Sequence, residues 1–140
     1  MAIYEDDLLK TVSSLIKEEW RPKKHYSKEI KYRDDMLDFL RSKIGSEYHM
    51  RTESGRSLAD IGIDQKVGIE VKYNLSKVSE SDRAAGQVIR HMKNYMYGVI
   101  IVCCGKTSQT ELDNLSYSAK IINRAFDDNF KKLMIITKQR

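Results

Sequence analysis

The stretch Leu58–Tyr73, LADIGIDQKVGIEVKY, decides the fold that this sequence predicts. The segments on either side of Gln65 and Lys66 are short and alternate roughly between polar and branched apolar residues, which is the pattern of β-strands. Asp64, Gln65 and Lys66 would form the loop between them. The sequence therefore predicts a β-hairpin near the middle of the chain.

This hairpin brings two acidic side chains together. With a loop at residues 64–66, Ile63 pairs with Val67, and counting outward places Asp60 opposite Glu70. Side chains alternate between the two faces of a strand, so Glu70 and Lys72 share one face while the apolar residues between them point toward a core. Directly opposed Cβ atoms lie ~5 Å apart, and two carboxylates at that distance repel each other unless a cation compensates.

A divalent metal ion would provide that compensation. Magnesium binds carboxylate oxygens, waters and a substrate phosphate, and an ammonium such as that of Lys72 can orient or deprotonate an attacking water. The alternative is an ordinary surface hairpin with an exposed salt bridge across its strands. Gly62 and Gly68 favour the metal site, because glycine inside a strand often marks the close approach of another backbone or a ligand.

Asp60 followed by Glu70-Val71-Lys72 resembles the signature of the PD-(D/E)xK nuclease superfamily, which includes many restriction endonucleases and archaeal Holliday junction resolvases. The resemblance implies an α/β fold with a restriction-endonuclease-like core, in which helices flank a central mixed sheet in the order α-β-β-β-α-β-α-β, here with an extra N-terminal helix. It also implies that Asp60 and Glu70 hold Mg²⁺, with Mn²⁺ as an alternative, that the Val71 carbonyl assists, and that Lys72 assists the nucleophile. Ala59 replaces the proline of the signature, a position that varies across the superfamily.

Length and composition indicate a single domain over residues 1–140, with an N-terminal helix and basic connection at 1–26 and the core at 27–138. No secretory segment and no apolar run of ~20 residues is visible, so we expect a soluble, cytoplasmic protein without a membrane partner. Cys103 and Cys104 fall inside an apolar strand, where we expect reduced, structural thiols.

Hydrophobic periodicity predicts the remaining elements. Gly45 is expected to close the second helix from the C′ position, and Ser79 or Ser81 to cap the third. The predicted helices span residues 4–20, 27–44, 79–95 and 109–130, and the predicted strands outside the hairpin span 47–53, 98–104 and 133–137.

The helix that precedes the first strand supplies a further acid to the site in many members of the superfamily. Asp34 borders the apolar stripe of this helix and is a candidate for the metal site, whereas Asp35 points away from the stripe. The alternative for Asp34 is a surface acid paired with Lys31 or Arg41. The stripe is defined by Ile30, Leu37, Leu40 and Ile44.

The helix after Lys72 contributes two further candidates. Gln87 is a candidate catalytic residue, because several nuclease groups keep a glutamine there; the alternative is a solvated glutamine. His91 follows four residues later, where RecB-like members of the superfamily have a tyrosine. A partly buried histidine without catalytic role is the alternative for His91.

The net charge is +5, and the excess is concentrated between Arg21 and Arg33, where Glu29 is the only acid. Such a run fits phosphate contacts, which dominate the affinity for nucleic acids, although basic runs also form plain solvated faces. Arg56 and Ser57, in the loop before Asp60, are candidate contacts near the scissile bond. The candidate DNA-binding lysines of the run are Lys23, Lys24, Lys28 and Lys31.

Together these features predict a magnesium-dependent DNA endonuclease that hydrolyses phosphodiesters with metal-activated water. The small size favours recognition of DNA structure, as in a Holliday junction resolvase, and paired cuts would require a homodimer. The extra N-terminal helix would either form the dimer interface or pack on its own domain. The competing interpretations are a nucleic-acid-binding or partner-binding module without turnover, an exonuclease and an RNA nuclease.

Overall fold

The structure is a computed structural model that describes residues 8–53 and 59–138. Its centre is a five-stranded mixed sheet, in which the strands lie side by side in chain order. The first three strands are antiparallel neighbours and the last three are parallel neighbours. The strands are β1 (Met50–Thr52), β2 (Ile61–Ile63), β3 (Val67–Tyr73), β4 (Gly98–Cys104) and β5 (Lys132–Lys138).

Helices cover both faces of this sheet, which confirms the predicted α/β class and the mixed character of the sheet. α1 (Leu8–Ser14) continues into a π-helical turn, Leu15–Glu19, and is followed by α2 (Glu29–Ile44). α3 (Val78–Met92) lies between β3 and β4. α4 (Gln109–Ala125) and a 3₁₀ turn, Asp127–Asn129, lie between β4 and β5.

Each face of the sheet has its own apolar core. Side chains of α1 and α2 pack on one face, against residues such as Ile69, Val71 and Val102. Side chains of α3 and α4 pack on the other, against Val99 and Ile101. Every residue of β4 is buried, as expected for a central strand that is covered on both sides. Its two cysteines are free thiols.

The hairpin has the predicted register, since Ile63 pairs with Val67. Asp64 and Gln65 both adopt positive φ angles, and the Lys66 N–H donates a hydrogen bond of 2.8 Å to the Ile63 carbonyl. The β2–β3 ladder ends at the pair Ile61 and Ile69. Asp60 therefore lies just before β2, outside the regular ladder.

The apolar stripe of α2 contains the predicted Leu37, Leu40 and Ile44 but not Ile30, and this difference exchanges the roles of two acids. Tyr32 and Met36 are buried, whereas Ile30 is 47% exposed. This rotation about the helix axis turns Asp35 inward and Asp34 outward, so the prediction that Asp35 points away from the stripe was wrong. The Asp35 carboxylate accepts hydrogen bonds from Trp20 Nε1 (3.0 Å), Lys23 N (2.9 Å) and Tyr26 Oη (2.7 Å).

Two predicted helix ends also differ. Gly45 is the C-cap of α2 and has a right-handed φ of −65°, so it is not the left-handed C′ residue that was predicted. α3 begins after an extended Lys77 without a side-chain cap. Ser81 is buried inside α3 and donates to Glu111 Oε1 of α4 at 2.8 Å, so it joins two helices and caps neither.

The N-terminal helix packs on its own domain. Leu8, Leu9 and Val12 are buried in the core shared with α2. The buried Lys138, at the end of β5, donates hydrogen bonds to the carbonyls of Lys17 (2.7 Å) and Trp20 (3.0 Å). The π-helical turn and the residue after it are therefore joined directly to β5. None of the helices within residues 8–53 and 59–138 is both long and apolar enough to cross a bilayer.

Candidate active site

Asp60 is held at the point where the hairpin ladder ends. Its Oδ2 accepts a hydrogen bond of 2.7 Å from the backbone N–H of Val71. Because β2 no longer pairs with β3 beyond Ile61, the carboxylate takes the place of a strand partner for this N–H. This contact fixes the Asp60 carboxylate beside the Glu70-Val71-Lys72 segment of β3.

Glu70, Lys72 and Gln87 meet between β3 and α3. Glu70 and Lys72 point to the same face of β3, and the Lys72 ammonium lies 3.7 Å from Glu70 Oε1. Lys72 Nζ also donates a hydrogen bond of 2.9 Å to Gln87 Oε1 on α3. The side chains of Glu70 and Lys72 are largely shielded from solvent. The structure thus brings together Glu70 and Lys72 of β3 and Gln87 of α3, all three of which the sequence nominated.

The two acids of the site influence each other electrostatically. Burial, and then the nearby Glu70 carboxylate, raise the pKa of Asp60 to about 6, against the smaller lowering effects of the Val71 N–H and Lys72. Removal from water and a like charge both disfavour the ionised form of a carboxylic acid. A cation at this position would oppose both effects.

His91 approaches Glu70 from α3. Its Nδ1 atom lies 3.0 Å from Glu70 Oε2, but the two atoms are not aligned as a hydrogen bond, and neither has a hydrogen-bond partner among the described residues. His91 is 4% exposed and Glu70 is 6% exposed. Periodicity on α3 singles out His91 as a neighbour of Gln87, yet it does not show that the ring reaches Glu70.

Glu29 is an acid near the site that the sequence analysis passed over. It is the first residue of α2, and its Oε1 accepts a hydrogen bond of 3.1 Å from the Tyr73 N–H at the end of β3. Glu29, Ile30, Arg33 and Asp60 line a cavity of about 120 Å³. An apolar stripe that includes the buried Tyr32 would have indicated Glu29, because Glu29 lies one helical turn before Tyr32.

Asp34, the acid that the sequence nominated from this helix, has a different environment. Its carboxylate accepts a hydrogen bond of 2.9 Å from Arg33 Nη2, and its side chain is 53% exposed. This geometry matches the alternative of a surface acid, although the partner is the adjacent Arg33 and not Lys31 or Arg41.

A second set of contacts holds the backbone just before Asp60. The Tyr95 hydroxyl donates to the Glu53 carboxylate and accepts a hydrogen bond of 3.0 Å from the Ala59 N–H. We call Glu53, Ala59 and Tyr95 the Tyr95 clamp. A Cβ on Gly62 would overlap the Glu53 carboxylate, and a Cβ on Gly68 would lie 2.6 Å from the Tyr95 ring. The two glycines therefore admit the side chains of the clamp.

The predicted DNA-binding residues fall into two groups. Four lysines of the basic run are exposed on α2 and on the connection that precedes it. Arg33, from the same run, reaches the cavity beside Asp60. Arg56 and Ser57 lie outside the described residues. The four exposed lysines are Lys23, Lys24, Lys28 and Lys31.

The donor atoms fit a hard divalent cation in their chemistry. Asp60 and Glu70 offer carboxylate oxygens, which Mg²⁺ and Mn²⁺ prefer, and Glu70 Oε2 is buried without a hydrogen-bond partner. Within residues 8–53 and 59–138 no group of three His, Cys, Asp or Glu side chains already stands close enough together to hold a metal ion. Two protein carboxylates completed by waters and a substrate phosphate are a common arrangement for Mg²⁺.

Comparison of the chain with protein-family models, with curated proteins and with solved structures gives no match. The functional argument therefore depends on the geometry of the site.

Proposed function

We propose that this protein is a metal-dependent DNA endonuclease of the PD-(D/E)xK type, which hydrolyses phosphodiester bonds by in-line attack of water. One observation carries the proposal: Asp60, the buried Glu70 and Lys72 converge where the hairpin ladder ends, and Gln87 contacts Lys72. An exposed salt bridge on a surface hairpin would not need two acids in a partly buried site.

Each residue has a role that follows from its contacts. Asp60 and Glu70 would hold the ion, Mg²⁺ or Mn²⁺, and we expect the Val71 carbonyl to assist. Lys72 lies beside Glu70, where its ammonium can orient the attacking water and oppose the charge that develops on the phosphate. Gln87 accepts a hydrogen bond from Lys72 and so fixes the direction of that ammonium. When bound, the ion supplies Lewis acidity and lowers the pKa of a coordinated water.

The charge distribution supports a nucleic acid as the substrate. The exposed lysines precede and begin α2, and Arg33 lines the same cavity as Asp60. A strand of DNA that follows the basic surface would thus reach the acidic site, where a metal ion would screen its phosphates from the carboxylates. We further propose recognition of branched DNA by a homodimer, because a resolvase must make paired cuts.

Cleavage assays test this proposal directly. Purified protein is incubated with four-way-junction, single-stranded and duplex DNA and with RNA, with Mg²⁺, with Mn²⁺ or with chelator. We expect metal-dependent cleavage of DNA, loss of cleavage by on the order of 10³-fold in Lys72→Ala, and unchanged cleavage in Lys120→Ala, which removes an exposed lysine of α4. Symmetric cuts across the junction, together with a dimeric mass in light scattering, would support the resolvase subtype.

Other outcomes would redirect the assignment. Cleavage in chelator, or equal cleavage by Lys72→Ala, would contradict the mechanism. Salt-dependent binding without cleavage of any substrate would favour the binding module. Trimming from DNA ends would indicate an exonuclease, and cleavage of RNA alone an RNA nuclease.

A further inference from the structure

We propose that His91 is a ligand of the divalent ion at this site, so that the site prefers a transition-metal ion such as Mn²⁺ to Mg²⁺. The inference rests on the proposed function, because it adds a ligand and a metal preference to the same site. Two atoms carry it, His91 Nδ1 and Glu70 Oε2. Both are buried, and both lack a hydrogen-bond partner among the described residues.

The first step concerns what these two atoms need. They lie 3.0 Å apart. A carboxylate oxygen carries lone pairs, and an imidazole with its proton on Nε2 also presents a lone pair at Nδ1. Two atoms that carry lone pairs repel at this distance, and buried polar atoms without partners are costly. A cation that contacts both atoms would remove both penalties.

The second step distinguishes a proton from a metal ion. A proton would create a hydrogen bond, which requires an N–H directed at the oxygen, and the two groups are not aligned in this way. In an octahedral metal site with bonds of about 2.1 Å, adjacent ligand atoms at right angles lie about 3.0 Å apart. The distance of 3.0 Å from Nδ1 to Oε2 is compatible with this ligand-to-ligand spacing.

The third step concerns how the fold presents the ring. His91 follows Gln87 by four residues, one helical turn along α3. The helix directs Gln87 to Lys72 and His91 to Glu70. The two side chains of α3 thus contact the two functional residues of β3 in reverse order, as expected for a helix that runs back along the strand. A ring in this position adds a nitrogen donor to an otherwise oxygen-based site.

A nitrogen donor changes the metal preference of such a site. Mg²⁺ favours oxygen ligands and releases its waters reluctantly, whereas imidazole binds first-row transition ions well. Mn²⁺ accepts both carboxylate oxygen and imidazole nitrogen in an octahedral arrangement. His91 would therefore raise the affinity for Mn²⁺ more than the affinity for Mg²⁺.

Electron paramagnetic resonance with MnCl₂ as the probe tests the inference. Titration of the free Mn²⁺ signal gives the affinity of the wild type, of His91→Gln and of His49→Gln, an exposed-histidine control. We expect His91→Gln to weaken Mn²⁺ binding on the order of 10-fold to 100-fold, with a smaller change in Mg²⁺ affinity measured by calorimetry. His49→Gln should bind both ions as the wild type does.

Pulsed measurements on the wild type make the test independent of the folding of any variant. We expect a directly bound nitrogen to couple to the Mn²⁺ electron spin, and we expect the coupling pattern to change when the protein is made with ¹⁵N-labelled histidine. Mn²⁺ binding without nitrogen coupling, or with equal affinity in folded His91→Gln, would overturn the assignment of His91 and leave the metal-dependent nuclease intact. Absence of Mn²⁺ and Mg²⁺ binding, with and without DNA, would overturn both.

Discussion

At the scale of single residues, Asp60 is a group whose charge depends strongly on its surroundings. It accepts a hydrogen bond from the Val71 N–H, which favours its ionised form, while burial and Glu70 oppose ionisation more strongly. Lys72 offsets part of the repulsion. The result is a buried acid whose ionised form a bound cation would stabilise.

This balance predicts that Asp60 makes the metal-free protein less stable as the pH rises. The pKa of Asp60 is about 6 in the folded protein, whereas the pKa of a free aspartate is 3.8. The folded state thus binds more protons in this window, and its free energy of unfolding falls as the pH rises through it. In chelator, we expect the stability advantage of Asp60→Asn over the wild type to grow by on the order of 2 kcal/mol between about pH 4 and about pH 7.

Urea unfolding at a series of pH values measures this difference. Asp38→Asn, which changes an exposed acid of α2, is the matched control and should show no such growth. An advantage of Asp60→Asn that stays constant across the pH range would contradict the predicted burial of the Asp60 charge.

The residues of the site differ in how far local sequence could reveal them. The alternation of β3 placed Glu70 and Lys72 on one face, and the loop length fixed the register that brings Asp60 near them. The position of Glu29 near the site depends on which face of α2 packs on the sheet. The exposed Ile30 suggested a different face. The contact between His91 and Glu70 depends on how α3 packs on the sheet, and no short-range pattern encodes that packing.

At the scale of elements, the Tyr95 clamp joins the end of β1 and the start of β2 to the turn after α3. Gly68 lies under the Tyr95 ring, with no space for a methyl group. Gly86, by contrast, has open space around the position of a Cβ and lies inside α3. Contact with the Tyr95 ring therefore requires glycine at position 68, whereas no packing contact requires it at position 86.

We predict that alanine has opposite effects at these two positions. Gly68→Ala should lower the free energy of unfolding by about 1–3 kcal/mol, because the new methyl group displaces the Tyr95 ring. Gly86→Ala should raise it by about 0.5–1 kcal/mol, because alanine is the better helix former. Denaturant unfolding measures both changes, and a neutral Gly68→Ala would argue against a rigid Tyr95 clamp.

The connection between the π-helical turn and α2 is organised by Asp35. Trp20, Lys23 and Tyr26 all donate hydrogen bonds to its carboxylate, and these bonds hold the connection on α2. The sequence could show that a basic connection exists here. It could not show that Asp35 holds this connection on α2, because the choice between Asp34 and Asp35 depends on which face of the helix is buried.

The adjacent acids offer a matched pair of variants. Asp35→Ala should lower the free energy of unfolding by about 2–4 kcal/mol, because it leaves the buried Trp20 N–H and two further donors without an acceptor. Asp34→Ala removes only an exposed ion pair and should change stability by less than about 0.5 kcal/mol. Thermal or urea unfolding separates the two. Equal losses would mean that the Asp35 anchor contributes little.

At the scale of the whole molecule, positive charge and the acidic site lie on adjoining surfaces. The basic run leads to the start of α2, and Arg33 connects it to the cavity beside Asp60. The sequence shows the net charge and the clustering of basic residues between Arg21 and Arg33. The proximity of that charge to the site follows only from the position of α2 against the end of β3.

We predict that the lysines of the basic run determine the salt dependence of DNA binding. Each lost phosphate contact reduces the slope of log K against log salt by about 0.9. The combined replacement of Lys23, Lys24, Lys28 and Lys31 by alanine should therefore weaken binding at low salt and flatten the slope by up to about 3.6. Fluorescence anisotropy with labelled DNA over a range of salt concentrations measures both effects.

The control removes the same charge from other exposed positions, with Lys10, Lys17, Lys93 and Lys120 changed to alanine. This variant should keep most of the slope. Equal flattening in the two variants would show that net charge, and not the surface beside α2, attracts the DNA.

The bond between Lys138 and the N-terminal turn has a consequence for biosynthesis. It joins residues 121 positions apart, so the π-helical turn leaves the ribosome long before the strand that anchors it. At roughly 5–20 residues per second, this delay is on the order of ten seconds. Until β3 and β4 have also left the ribosome, Leu8, Leu9 and Val12 have no sheet to cover, so we expect this segment to be a target for a chaperone that binds nascent chains.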